Sequence, residues 1–146
     1  MKKLLSLVLS ALLLCTFATT GAFAENNEST KEEPYIEARY NHFSMVFASL
    51  YRTDSGFYHV EGGAGCYDSQ MRLEVTVTIE GCGSDGQYHP VDGFKWTASG
   101  YSVAATQATR DLSGGAYRAH TVAKCYQNDT LLETVEAYSN IVNVPF

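Results

Sequence analysis

The chain has 146 residues, 45% hydrophobic, 12% aromatic and 18% charged, with a formal net charge of −6. That length sets one domain, and so much aromatic content beside so little charge excludes a disordered chain. An acidic sequence without a basic stripe argues against a nucleic-acid or anionic-lipid partner.

The first 24 residues read as a secretory signal peptide. Lys2 and Lys3 form a basic start, and Leu4 to Phe17 is an apolar run too short for a comfortable membrane span. Ala22-Phe23-Ala24 then places small residues before Glu25, as a cleavage site requires. An uncleaved N-terminal anchor is the alternative. Cys15 follows Leu14, not the small residue that a lipidation site needs, and is expected to leave with the signal. No second apolar span follows and the chain ends Val144-Pro145-Phe146, so no integral membrane span is expected after cleavage. Without Lys2 and Lys3, 8 basic residues face 16 acidic ones, a net charge of −8. Residues 25–34 hold Glu25, Glu28, Glu32 and Glu33 and close at Pro34, which reads as a flexible acidic leader. Residues 35–146 are the expected folded domain.

From Tyr35 onward period-two alternation and turn signals recur, with no sustained apolar spacing of 3.6. A first strand is expected over roughly 38–52, bent near Phe43–Phe47 where the alternation changes phase. Thr53-Asp54-Ser55-Gly56 is a turn. Phe57–Tyr67 follows as a strand with Tyr58, Val60, Ala64 and Cys66 on one parity. Met71–Cys82 is the clearest strand: Leu73, Val75, Val77 and Ile79 face one way, Arg72, Glu74, Thr76, Thr78 and Glu80 the other. Gly83-Ser84-Asp85-Gly86 predicts a hairpin. Gln87–Val91 and Phe94–Ala98 are read as two strands around Asp92-Gly93, and Tyr101–Arg110 as another. After a turn at Ser113-Gly114-Gly115, Ala116–Tyr126 and Leu132–Val144 pair across Gln127-Asn128-Asp129-Thr130. Seven or eight short strands without a helical crossover predict an all-β, antiparallel β-sandwich.

Gly115-Ala116-Tyr117-Arg118 resembles the start of the penultimate strand in immunoglobulin-like and fibronectin-like sandwiches. The wider pattern adds Gly-x-x-x-Val-x-Gly-Gly-Ala-Gly-Cys (56–66), Val-x-Val-x-Ile-x-Gly-Cys (75–82), Phe-Lys-Trp (94–96) and Ala-Tyr-Ser (137–139). Covering nearly the whole domain, it resembles a family of short secreted proteins of Gram-positive bacteria with no assigned activity. The resemblance implies an immunoglobulin-like fold and an extracellular location, not a reaction.

In such a sandwich a disulfide joins the second and sixth strands through the core. Cys66 and Cys125 lie near the ends of those strands at inward parity, so the resemblance implies a Cys66–Cys125 bridge. Three buried thiols are the alternative, and Cys82 is left to pair elsewhere or stay free. No zinc-ligand spacing is present.

His42, His59, His89 and His120 are scattered over four elements, with His59 and His120 at solvent-facing parity, and read as surface histidines. No G-x-S-x-G elbow supports a hydrolase triad. Gly62-Gly63-Ala64-Gly65 lacks the Gly-Lys-Ser/Thr of a phosphate loop and marks a bulge or a close approach instead. Asp85 and Asp92 lack calcium-loop spacing and read as turn residues. No cofactor and no metal are expected. All ten Tyr lie beyond the signal. Trp96 and Tyr117 are assigned to the core, whereas Tyr51, Tyr67, Tyr88, Tyr101 and Tyr126 fall near strand ends and are the candidate binding aromatics. These features together predict a secreted, non-enzymatic module that binds an extracellular protein or glycan. A secreted effector, such as a bacteriocin-like toxin or a protease inhibitor, is the alternative.

Overall fold

A computed structural model describes residues 40–146, which belong to one compact unit, Ala38–Phe146. The expected signal peptide (1–24), the leader (25–34) and the domain start at Tyr35 lie outside the described residues. Among the described residues no helix is long and apolar enough to cross a membrane.

Eight strands form: β1 (Phe43–Arg52), β2 (Tyr58–Cys66), β3 (Arg72–Cys82), β4 (Tyr88–Tyr101), β5 (Val103–Arg110), β6 (Gly115–Gln127), β7 (Thr130–Tyr138) and β8 (Val142–Val144). They make two antiparallel sheets, one ordered β1-β2-β5 and the other β4-β3-β6-β7, with β8 pairing the start of β6. The result is an immunoglobulin-like β-sandwich, with β2 and β6 central in opposite sheets.

Alternation builds the core. Leu73, Val75, Val77 and Ile79 of β3 are buried against Tyr58, Val60, Ala64 and Cys66 of β2 and Ala119, Ala123 and Cys125 of β6. Trp96 and Tyr117, assigned to the core from sequence, are only partly buried and pack at its margin. Two hairpins share one construction. Gly56 N donates to Thr53 O and Thr53 N to Phe57 O; Gly86 N donates to Gly83 O and Gly83 N to Gln87 O. In both, a glycine at positive φ (+88° and +75°) closes the loop, a conformation that costs side-chain-bearing residues energy. The β6–β7 turn needs only Asn128 and Asp129, both left-handed.

Asp92-Gly93 corrects the reading. It does not separate two strands: β4 runs unbroken through it, and residues 91–94 form a bulge opposite Ile79. At the end of the chain the opposite holds. The expected single strand Leu132–Val144 is two, because the chain leaves β7 after Tyr138 and rejoins β6 as β8. In β1 the phase change is a bulge between Phe43 and Met45, and the strand begins at Phe43.

Candidate functional site

Glu80 is the first departure from simple alternation. Its parity predicts a solvent-facing carboxylate, yet it is buried on the outer face of the five-stranded sheet. β3–β6 pairing sets it opposite Arg118, and β6–β7 pairing sets His120 opposite Tyr138. The Glu80 carboxylate accepts a hydrogen bond from Arg118 Nε at 2.8 Å and one from His120 Nδ1 at 2.9 Å. A carboxylate only accepts, so the imidazole carries its proton on Nδ1. The Arg118 guanidinium lies 4.5 Å from the ring centroid of Tyr88 and 4.2 Å from that of Tyr138. Tyr138 also stacks on His120, with centroids 4.4 Å apart and planes at 14°. His120 Nε2 is buried without a hydrogen-bond partner; Glu136 Oε2, 3.3 Å away, accepts the Tyr138 hydroxyl at 2.9 Å. That bond and the adjacent Glu136 charge hold the Tyr138 phenol above its ordinary pKa, with partial burial adding to them.

Two register shifts assemble this cluster. A two-residue turn at Asn128-Asp129 pairs Gln127 with Thr130 and, continued unbroken, would place His120 opposite Ala137. An extra residue, Leu132, enters β7 opposite the Cys125–Tyr126 step, and His120 meets Tyr138 instead. A one-residue slip exchanges the two faces of a strand, so the bulge aims Glu136 and Tyr138 outward. Across β3 the bulge at 91–94 changes parity in the same way and turns Tyr88 to the face that carries Arg118. The sheet thus clamps one arginine between two tyrosines contributed by its two edge strands.

The candidate aromatics divide between the two ends of the sandwich. Tyr101 and Tyr126 flank Arg72 on adjacent strands, and the Arg72 guanidinium lies 4.2 Å over the Tyr126 ring. Tyr67 is at the same end, 73% exposed, beside Tyr101 at 68%; Cys66 N donates to Ser102 O between them. Tyr51, next to His59 with ring centroids 5.1 Å apart, and Tyr88 are at the other end. Only Tyr88 joins the outer-face cluster.

No family model, curated protein or solved structure matches the chain.

The cysteines have the inward parity the reading requires, but the Cys66–Cys125 bridge does not form. Cys66, Cys82 and Cys125 are all free. Each buried thiol is engaged elsewhere: Cys66 Sγ donates to Asp68 O at 3.0 Å, and Cys125 Sγ to the Met71 thioether at 3.3 Å. Burial pushes both thiols above their ordinary pKa; for Cys66 the bond to Asp68 O pulls back, and for Cys125 the proximity of Cys66 adds to the rise. Asp85 is turn chemistry, as read. Its carboxylate accepts from Gln87 N at 3.0 Å and contacts His89 Nε2 at 2.8 Å, which together hold it below the usual carboxylate range. The glycine run of β2 marks close approach and not a bulge, since pairing with β1 is continuous there. A Cβ on Gly62 would run into Thr121 Oγ1 and Val77 Cγ2 of the opposite sheet. Among the described residues no group of three or more His, Cys, Asp or Glu side chains is placed to hold a metal.

Sequence reasoning missed Glu80, Arg118, His120, Glu136 and Tyr138. Their trace was there in two i,i+2 pairs, Arg118/His120 and Glu136/Tyr138, on strands joined by a tight turn. Recognising it required the Leu132 bulge.

Proposed function

We propose that the chain is a secreted, non-enzymatic binding module, and that the outer face of its five-stranded sheet holds an extracellular glycan. The observation that carries this reading is the fixed Tyr88–Arg118–Tyr138 stack, with Tyr138 47% exposed. A sugar needs a ring to stack on and polar groups fixed around it. Here the ring is Tyr138, and Glu136, Arg118 and the Thr76–Thr97 hydroxyl pair (3.1 Å) stand on the same face. Export rests on the basic start, short apolar run and Ala22-Phe23-Ala24 of the N-terminus. Kinship with the short secreted sandwiches of Gram-positive bacteria is part of the same proposal, resting on the strand motifs.

The test is a glycan array probed with the purified protein. Retention of a defined class of polysaccharide supports the reading. Failure to hold any glycan, together with turnover of a polymeric substrate, replaces it with an enzymatic one.

A further inference from the structure

The outer face of the three-stranded sheet is built differently from that of the five-stranded one. At one end, the rows Met45–Gly65–Val103 and Phe47–Gly63–Ala105 cross it, with the Ser44 hydroxyl over Gly65 as their polar neighbour. Phe47 lies over Gly63, where a Cβ would come within 2.7 Å of its ring, and Met45 lies over Gly65. Met45 and Val103 are 50% and 63% exposed. Toward the other end the rows turn polar: Ser49–Glu61–Gln107, then Tyr51–His59–Thr109.

β1 forms the edge of this sheet, and among the described residues nothing pairs with its outer side. From Phe43 to Tyr51 it carries neither charge nor proline; Arg52 is its only charge. An exposed strand edge presents unpaired N–H and C=O groups, and proteins usually blunt it with proline, charge or a bulge. The edges of the five-stranded sheet have such protection, and β5 is held against the end of β4 at its start. β4 carries Pro90, Lys95 and the 91–94 bulge. β7 carries Glu133, Glu136 and the Leu132 bulge. β5 starts one residue after β4, with Gly100 packed on the Val103 carbonyl. β1 has a bulge of its own at its start, between Phe43 and Met45, but from Met45 to Tyr51 it is a regular edge without charge or proline, beside a face that is apolar at one end.

We propose that β1 pairs antiparallel with β1 of a second copy, joining two three-stranded sheets into one of six. The strand is self-complementary. A two-fold axis at Ala48 keeps inward residues with inward ones and sets Val46 against Leu50. On the outer face it sets Met45 against Tyr51 and Phe47 against Ser49, and it places Arg52 beside Ser44. No like charges meet, and the two arginines sit at opposite ends of a nine-residue pairing, Ser44 to Arg52, about 27 Å apart. In an acidic chain this strand lets two copies meet without carboxylates opposed. The apolar rows of both copies then share one outer face.

The test is sedimentation equilibrium of the product of the complete coding sequence, with Phe47→Lys and Phe47→Glu variants. The wild type should show twice the monomer mass, falling to one on dilution. Each variant should be monomeric because two like charges then flank the axis, and an equimolar mixture of the two should recover the doubled mass. For the wild type alone, amide exchange in β1 should be slower in the dimer than in dilute protein. A wild type that stays monomeric at every concentration overturns the proposal, as do variants that remain dimeric or a mixture that stays monomeric.

Discussion

A carboxylate on a sheet face stays buried only when both its oxygens are occupied, and Arg118 and His120 supply that condition for Glu80. Glu80→Gln keeps the shape but turns an NH2 group toward one of the two donors. The expected loss is about 2 kcal/mol of stability, read from the urea midpoint. An unchanged midpoint would mean that the cluster bears no load. Tyr138 reports on the same residues through its titration. Ionising the phenol breaks its bond to Glu136 and sets two anions side by side, which is why its pKa is raised in the fold. A raised folded-state pKa stabilises fully below the unfolded value of about 10 and stops doing so as pH rises through the folded value. The Tyr138 ring-carbon NMR shift should therefore titrate above that of an exposed tyrosine. Glu136→Gln should bring it down, and no difference between the two proteins would contradict the hydrogen bond.

At the scale of elements, β2 approaches the opposite sheet because Gly62 has no side chain to hold it off. Gly62→Ala places a methyl group against Thr121 and Val77. Thermal unfolding should show a loss of about 1–3 kcal/mol, whereas Gly86→Ala, with open space at the Cβ, should show only the smaller cost of its positive φ. Equal losses would refute the close approach. The strands were legible for the same local reason that Gly62 was suspect: alternation in β3, the parity of Tyr58 to Cys66 and the two four-residue turns are each contained in a few neighbouring residues. The site was not legible, because it depends on register. Nothing local in Leu131-Leu132 or Asp92-Gly93 says that one adds a residue to a strand and the other bends a strand without ending it. Each choice reverses the facing of every residue beyond it.

For the whole molecule, parity located both core thiols but did not pair them. Of the three described cysteines only Cys82 is exposed. Alkylation of the native protein should modify Cys82 quickly, and Cys66 and Cys125 only on unfolding, since burial and a raised pKa both withhold the thiolate. If unfolding without reductant releases no further thiol, the two are bridged and the free-thiol core is wrong. The sandwich has two outer faces of different chemistry: one apolar at the end beside Met45 and Phe47, next to the β1 edge, and a polar one with two tyrosines packed on an arginine. The polar face is where the proposed function rests, and one comparison bears on it most directly. Glycan binding should be measured for the wild type, for Tyr138→Ala and for Tyr101→Ala, which removes an exposed aromatic at the other end. The account predicts that Tyr138→Ala loses binding at least about fivefold, in line with the about 1–3 kcal/mol typical of a stacked ring, while Tyr101→Ala keeps it. The reverse pattern, or equal binding by all three, would contradict it.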